Sequence, residues 1–289
     1  MFEKILFPTD FSEEAKTELN CITGIPEIRE IIILHVIKRS VVPGGASMVE
    51  SLAVHTAEVY LQKAKTYIAL LNPEILVRLD ETTSSDITGA ILEKAEEHEV
   101  DLIVIHATMK SIMAGLLLGS VHSQILCRDS KINVMVMPDK LVKTLSKKTF
   151  EKFCPMIFSR ILCPTNFSEL SLKAAALASS LKGVGEIILL HVVERGGAGA
   201  DPGEAVRRAE TRLKTLCINL ATHGIKTRAV VVTGKPKNVI PQIAQAEDAS
   251  LIWMRSAAKG CLHDFFFGSM VHDVVMNASQ PVIVIRSYQ

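Results

Sequence analysis

The sequence predicts an α/β protein built of two doubly wound domains in tandem, each a parallel sheet covered by helices. Three observations predict it. The chain repeats itself, its apolar runs lack polar alternation, and helical patterns separate those runs. The stretch from Ile5 to Glu13 (ILFPTDFSE) returns 156 positions on, from Ile161 to Glu169 (ILCPTNFSE). The stretch from Glu30 to Val36 (EIIILHV) returns at the same offset, from Glu186 to Val192 (EIILLHV). Gly119-Ser120 returns as Gly268-Ser269 at an offset of 149, so one loop has changed length. Self-similarity at a fixed offset marks a duplication.

In the first copy, short β-rich apolar runs fall at 4–7, 30–36, 75–79, 101–105 and 134–137. Helical patterns fall between them at 12–21, 47–71, 86–98 and 120–128. Apolar strands without alternation imply burial on both faces, hence a parallel sheet between helical layers. The second copy follows suit, with strands near Ile161, Ile187, Ala229, Leu251 and Val282. Pro8 to Glu13 reads as a strand end and a turn, with Ser12 as helix N-cap. The expected boundaries are a first domain at 1–138, a linker at 139–157 and a second domain at 158–289. The linker carries Lys140, Lys143, Lys147, Lys148 and Lys152. It reads as a solvated joint; a membrane-surface helix fits less well because its apolar residues are few.

A chain of 289 residues suits two domains, and 48% hydrophobic with 22% charged residues is a globular balance that excludes disorder. The net charge of +1 gives no drive toward nucleic acid or anionic membranes. The opening MFEKILFPTD carries acid early and lacks the apolar core of a signal peptide. No apolar stretch approaches the roughly 18 residues of a membrane span. A soluble, cytoplasmic protein is expected. The six cysteines show neither C-x-x-C pairing nor zinc-finger spacing, so they are expected to be reduced, several of them as small buried hydrophobes.

Ligands of open parallel sheets bind at the carboxyl ends of strands, where the strand order reverses. Two loops in each copy have suitable composition there. One follows strand 1, as Pro8-Thr9-Asp10 and Pro164-Thr165-Asn166. The other follows strand 4 and ends in Gly119-Ser120 or Gly268-Ser269, each opening a helix. Glycine admits close backbone approach, and the helix start offers free N–H groups to an anion. Two readings stand for Ser120 and Ser269: hydroxyl donors to a phosphate, or helix caps only.

Along essentially its whole length, each half resembles the universal stress protein family. The resemblance rests on P-T-[DN]-F-S-E after strand 1, L-H-V ending strand 2, and the late Gly-Ser. It implies a Rossmann-like, adenine nucleotide α-hydrolase-like domain with a five-stranded sheet of order 3-2-1-4-5. It also implies that the two halves pair about a pseudo-twofold axis, with a further homodimer expected. In ATP-binding members the Asp after strand 1 bonds the nucleoside, and the backbone of the Val after the strand-2 His holds adenine. A motif G-x-x-G-x9-G-[ST] wraps the phosphates. By that resemblance Asp10 takes the Asp role, and Asn166 replaces it in the second half. Val36 and Val192 take the adenine side, while Gly119-Ser120 and Gly268-Ser269 supply the last two motif positions. The first two motif glycines are absent. His106 and Met109 stand there in the first half, Arg255 and Ala258 in the second. A shorter phosphate chain, as in AMP or ADP, needs fewer of the lost contacts.

The halves differ in charge. The strand-3 loop of the first, Asp80 to Asp86, is acidic and would repel phosphate. Its counterpart, Thr233-Gly234-Lys235-Pro236-Lys237, is basic and keeps the family's glycine at Gly234. Arg255 either pairs with a phosphate or fills the pocket in its place. His35 and His191 read as structural, and Trp253 as core. His106 lies at a strand end with no nucleophile spaced for a triad. Phe265 to Phe267 either cover the pocket or pack between domains.

The sequence therefore predicts a tandem stress or signalling protein that binds AMP, ADP or ATP, with no strong catalysis. The alternative is a nucleotide-free scaffold with degenerate pockets. An enzyme ranks last. There is no G-x-x-x-x-G-K-[ST], no G-x-G-x-x-G after strand 1 and no H-E-x-x-H. A metal requirement stays open.

Overall fold

Residues 31–34 explain the missing polar alternation. Ile31 and Ile33 belong to one buried apolar cluster, while Ile32 and Leu34 belong to the other. Successive strand residues point to opposite faces, so a strand covered on both sides must be apolar throughout. The computed structural model describes residues 1–38, 46–107, 121–138, 140–141, 154–194, 201–222, 224–255 and 270–286.

The first half runs β1 (Lys4–Pro8), α1 (Glu13–Thr23), β2 (Glu30–Lys38), α2 (Ala46–Leu71), β3 (Leu76–Ser84), α3 (Ile87–Glu97), β4 (Leu102–Ala107), α4 (Val121–Cys127) and β5 (Asn133–Pro138). A 3-10 turn at Cys154–Met156 follows. The second half runs β6 (Arg160–Pro164), α5 (Glu169–Ser179), β7 (Glu186–Val193), α6 (Pro202–Ala221), β8 (Lys226–Thr233), α7 (Pro236–Ala246), β9 (Leu251–Arg255), α8 (Met270–Asn277) and β10 (Val282–Ile285).

Within each half the strands are parallel, in the order β3-β2-β1-β4-β5 and its counterpart β8-β7-β6-β9-β10. This is the expected 3-2-1-4-5 arrangement. The last strands pair antiparallel, Val282 opposite Val136 and Val284 opposite Val134, so one ten-stranded sheet crosses the molecule. Helices α1, α2, α5 and α6 contribute to the cluster on one face, and α3, α4, α7 and α8 to that on the other.

Two expectations change here. Residues 80–84 are not a loop: β3 continues to Ser84, opposite Lys38 at the end of β2. As an edge strand, β3 tolerates polar residues because only one side needs ladder partners. Two acids of the expected loop are also engaged. Asp80 accepts from His98 Nε2 at 2.7 Å and pairs with Lys94, while Asp86 caps α3 and pairs with Arg128 at 2.6 Å. The cysteines are not all reduced: Cys21 on α1 and Cys154 form a disulfide, and Cys127 is disulfide-bonded too. Cys163 and Cys217 are free thiols, and burial pushes both upward in pKa. Spacing rules see only local pairs, and Cys21 and Cys154 lie 133 positions apart. Among the described residues of the 139–157 segment, Lys140 and Met156 are exposed, while Leu141, Cys154 and Ile157 are buried.

Candidate functional site

Each half builds the same turn where strand 1 ends. In the first, the Thr9 amide donates to Leu34 O at 2.8 Å, which carries the ladder one residue past β1. Phe11 then takes a left-handed conformation, φ 62°, and its amide donates to Thr9 Oγ1 at 3.0 Å. The Ser12 amide donates to Asp10 Oδ1 at 3.0 Å, and Ser12 caps α1 by accepting from Ala15 N. In the second half Thr165 bonds Leu190 O, Phe167 has φ 61°, Ser168 N donates to Asn166 Oδ1 at 3.1 Å, and Ser168 caps α5. Asx side chains close such turns by bonding the backbone two residues on, so Asn166 replaces Asp10 without changing the fold of the loop. Burial opposes the charge of Asp10. Hydrogen bonds from Ser12, with the charge of the nearby His106, outweigh it and hold the carboxyl below its ordinary pKa.

His35 and His191 support these turns. Nδ1 of each ring donates to the carbonyl of Thr9 or Thr165 at 2.8 Å, and each ring packs on Phe11 or Phe167. That is the structural role expected of them. Trp253 is core, 1% exposed, with Nε1 donating to Ala174 O.

The ends of β4 and β9 differ between halves. His106, the last residue but one of β4, ion-pairs through Nδ1 with Glu18, a fully buried carboxylate on α1. At the equivalent places the second half has Arg255 and Ala174. A buried carboxylate needs a paired cation, so Glu18 ties His106 inward. Ala174 makes no such demand on Arg255.

In the second half the strand ends open into a cavity of about 680 Å³. Pro164, Thr165 and Asn166 line it from the first turn, Val192 from β7 and Arg255 from β9. Five site residues expected from sequence therefore meet there. Gly234 holds the neighbouring β8–α7 turn: its amide donates to Val193 O at 3.0 Å, its φ is +153°, and a Cβ would lie 2.6 Å from Val239 Cγ2. In the first half Pro8 ends β1, Thr9 and Asp10 follow it, and Val36 lies on β2, in the matching arrangement. Gly119, Ser120, Gly268 and Ser269 lie outside the described residues, as do Met109, Ala258 and Phe265 to Phe267.

Sequence reasoning missed two cations on this cavity. Arg286, just past β10, and Arg128, just past α4 of the other half, both line it. Arg286 donates to Ile125 O at 2.9 Å, to Leu126 O at 2.6 Å and to Arg128 O at 3.3 Å. Burial lowers its pKa to about 10, with Asp129 opposing, so it stays charged at neutral pH. Asp129 and Glu194 share the lining, leaving three arginines against two acids. No spacing rule links Arg128 to a site in the other half. A wider groove of about 1000 Å³ runs along α2 and edge strand β3, lined among others by Tyr67, Leu70 and Asp80. Among the described residues no cluster of three or more His, Cys, Asp or Glu could hold a metal ion, and no helix is long and apolar enough to cross a membrane.

Comparison with known proteins agrees with this architecture. The model of the universal stress protein family matches residues 1–138 and 158–286. A universal stress protein of Methanocaldococcus jannaschii is 27% identical over 157 residues, spanning 45% of this chain and 96% of its own length. The crystal structure of a universal stress protein from Archaeoglobus fulgidus superposes over 98% of this chain and 96% of its own, with TM-score 0.76 and 22% identity. A structure from Pseudomonas aeruginosa described as a putative universal stress protein covers 98% of this chain and 93% of its own, with TM-score 0.61 and 15% identity.

Proposed function

Because the chain belongs to the universal stress protein family, we propose that it binds an adenine nucleotide in the cavity of its second half, in a stress-response or signalling role without strong catalysis. One observation carries this reading: a single cavity gathers Asn166, Val192 and Arg255. The Val192 backbone would take the adenine edge. The Asn166 amide would bond a ribose hydroxyl, which both gives and accepts hydrogen bonds. Arg255 would hold phosphate with its forked guanidinium. About 680 Å³ lies within the usual range of small-ligand pockets. In this reading residues 139–157 join two domains that pair within the chain, and the pairs assemble further into a homodimer.

The test is to denature the purified protein and identify any released small molecule by mass spectrometry, then to titrate AMP, ADP and ATP by calorimetry. Near-stoichiometric nucleotide, or binding that Asn166→Ala weakens about tenfold, is the expected outcome; tenfold matches the loss of one good hydrogen bond. An empty protein that ignores all three nucleotides at millimolar concentration would leave the scaffold alternative standing.

A further inference from the structure

The second-half cavity has a wall from the first half. Leu126 to Ser130, the end of α4 and the residues after it, line the cavity opposite the strand ends of the other half. The antiparallel β5–β10 pairing brings them there, and the Arg286 amide fixes the approach by donating to Asn133 Oδ1 at 2.9 Å. A helix C-terminus presents carbonyl oxygens and repels an anion. Here those carbonyls are occupied: the Arg286 guanidinium takes Ile125 O, Leu126 O and Arg128 O. The wall therefore faces the cavity with its carbonyl end neutralised, and it brings one further cation, Arg128, beside the acid Asp129.

Arg128 is held only lightly. Its Asp86 partner lies at 2.6 Å, but the side chains are 42% and 51% exposed. Solvent-exposed ion pairs contribute little, whereas a charge-assisted bond to a ligand anion in a cavity is stronger. An anion at this wall can thus draw Arg128 away from Asp86 at small cost. Asp86 is also the N-cap of α3, accepting from Gly89 N at 2.9 Å.

We propose that Arg128, a residue of the first half, is a specificity-determining residue of the second-half site, gripping the outer phosphate of the bound ligand across the domain boundary. Binding in one half then breaks the Arg128–Asp86 pair in the other and leaves Asp86 to α3 alone. This rests on the adenine nucleotide reading of the cavity and adds to it a second, trans-domain cation beyond Arg255.

The test uses the full chain. Calorimetric titration with adenosine, AMP, ADP and ATP is run on the unaltered protein, Arg128→Ala, Arg128→Lys and Asp86→Asn. Thermal melts check that each variant is folded. The expected result is about a tenfold loss for the nucleotide with the longest phosphate chain that binds. Adenosine should be unaffected in Arg128→Ala, Arg128→Lys should recover part of the loss, and Asp86→Asn should tighten binding modestly. Equal affinities of Arg128→Ala and the unaltered protein for every phosphorylated ligand would overturn the inference while leaving the nucleotide reading intact. Failure of the unaltered protein to bind any adenine nucleotide would sink both.

Discussion

His122 sits on α4 with 2% of its surface exposed, and burial lowers its pKa to about 4, aided by the neighbouring His272 and His106. It is neutral in the folded protein at pH 7, while in the unfolded chain it titrates near 6.5. Between those two values the unfolded state binds the extra proton. Stability is therefore fully present above about pH 6.5 and falls as the pH drops toward 4. The shift corresponds to about 3 kcal/mol across that window. Urea midpoints measured from pH 7.5 down to 4 should decline, and His122→Gln should flatten the decline in that range. A profile identical in the variant would remove His122 as its source. Individual residues were unevenly legible in the sequence. His35, His191 and Trp253 were read correctly as structural, because strand-end and mid-strand positions in apolar runs leave few alternatives. The Glu18–His106 pair was not, since it joins groups 88 positions apart.

At the scale of elements, the two copies of the strand-1 turn show how little local chemistry changed after duplication. Ser12 and Ser168 both cap the helix that follows, and Phe11 and Phe167 both take positive φ. Ser168→Ala should cost about 1 kcal/mol, the usual worth of an N-cap. Gly234→Ala should cost more, about 1–3 kcal/mol, since it adds strain at φ +153° to a contact at 2.6 Å. Chemical denaturation of both variants should preserve that order, and a harmless Gly234→Ala would show that the β8–α7 turn relaxes freely. Strands, helices and caps were readable because each has a local signature: an apolar run, a 3.6-residue period, a serine before it. The length of β3 was not readable. Residues 80–84 are polar and turn-like by composition, and only the ladder offered by β2 as far as Lys38 makes them a strand.

For the whole molecule, the two halves are joined by more than their connecting chain. The β5–β10 pairing fuses their sheets, Cys21 and Cys154 bond α1 to the turn before β6, and Arg286 of one half holds the end of α4 in the other. A cross-link spanning 133 positions restricts the unfolded chain by about 5 kcal/mol in the chain-entropy account. The double variant Cys21→Ala with Cys154→Ala should therefore lose several kcal/mol of stability. Peptide mapping without reductant should recover the two cysteines linked; finding both as free thiols would remove the bond from the account. The sequence by itself determined the duplication, the parallel doubly wound halves and the turn that carries Asp10 or Asn166. Those rest on periodicities and short-range hydrogen bonds that a few neighbouring residues encode. Only the tertiary structure decided the disulfide, the buried Glu18–His106 pair and the placing of Arg128 and Arg286 on the second-half cavity. Each joins residues far apart in the chain, and their meeting depends on sheet order and on the pairing of β5 with β10, which no local pattern contains.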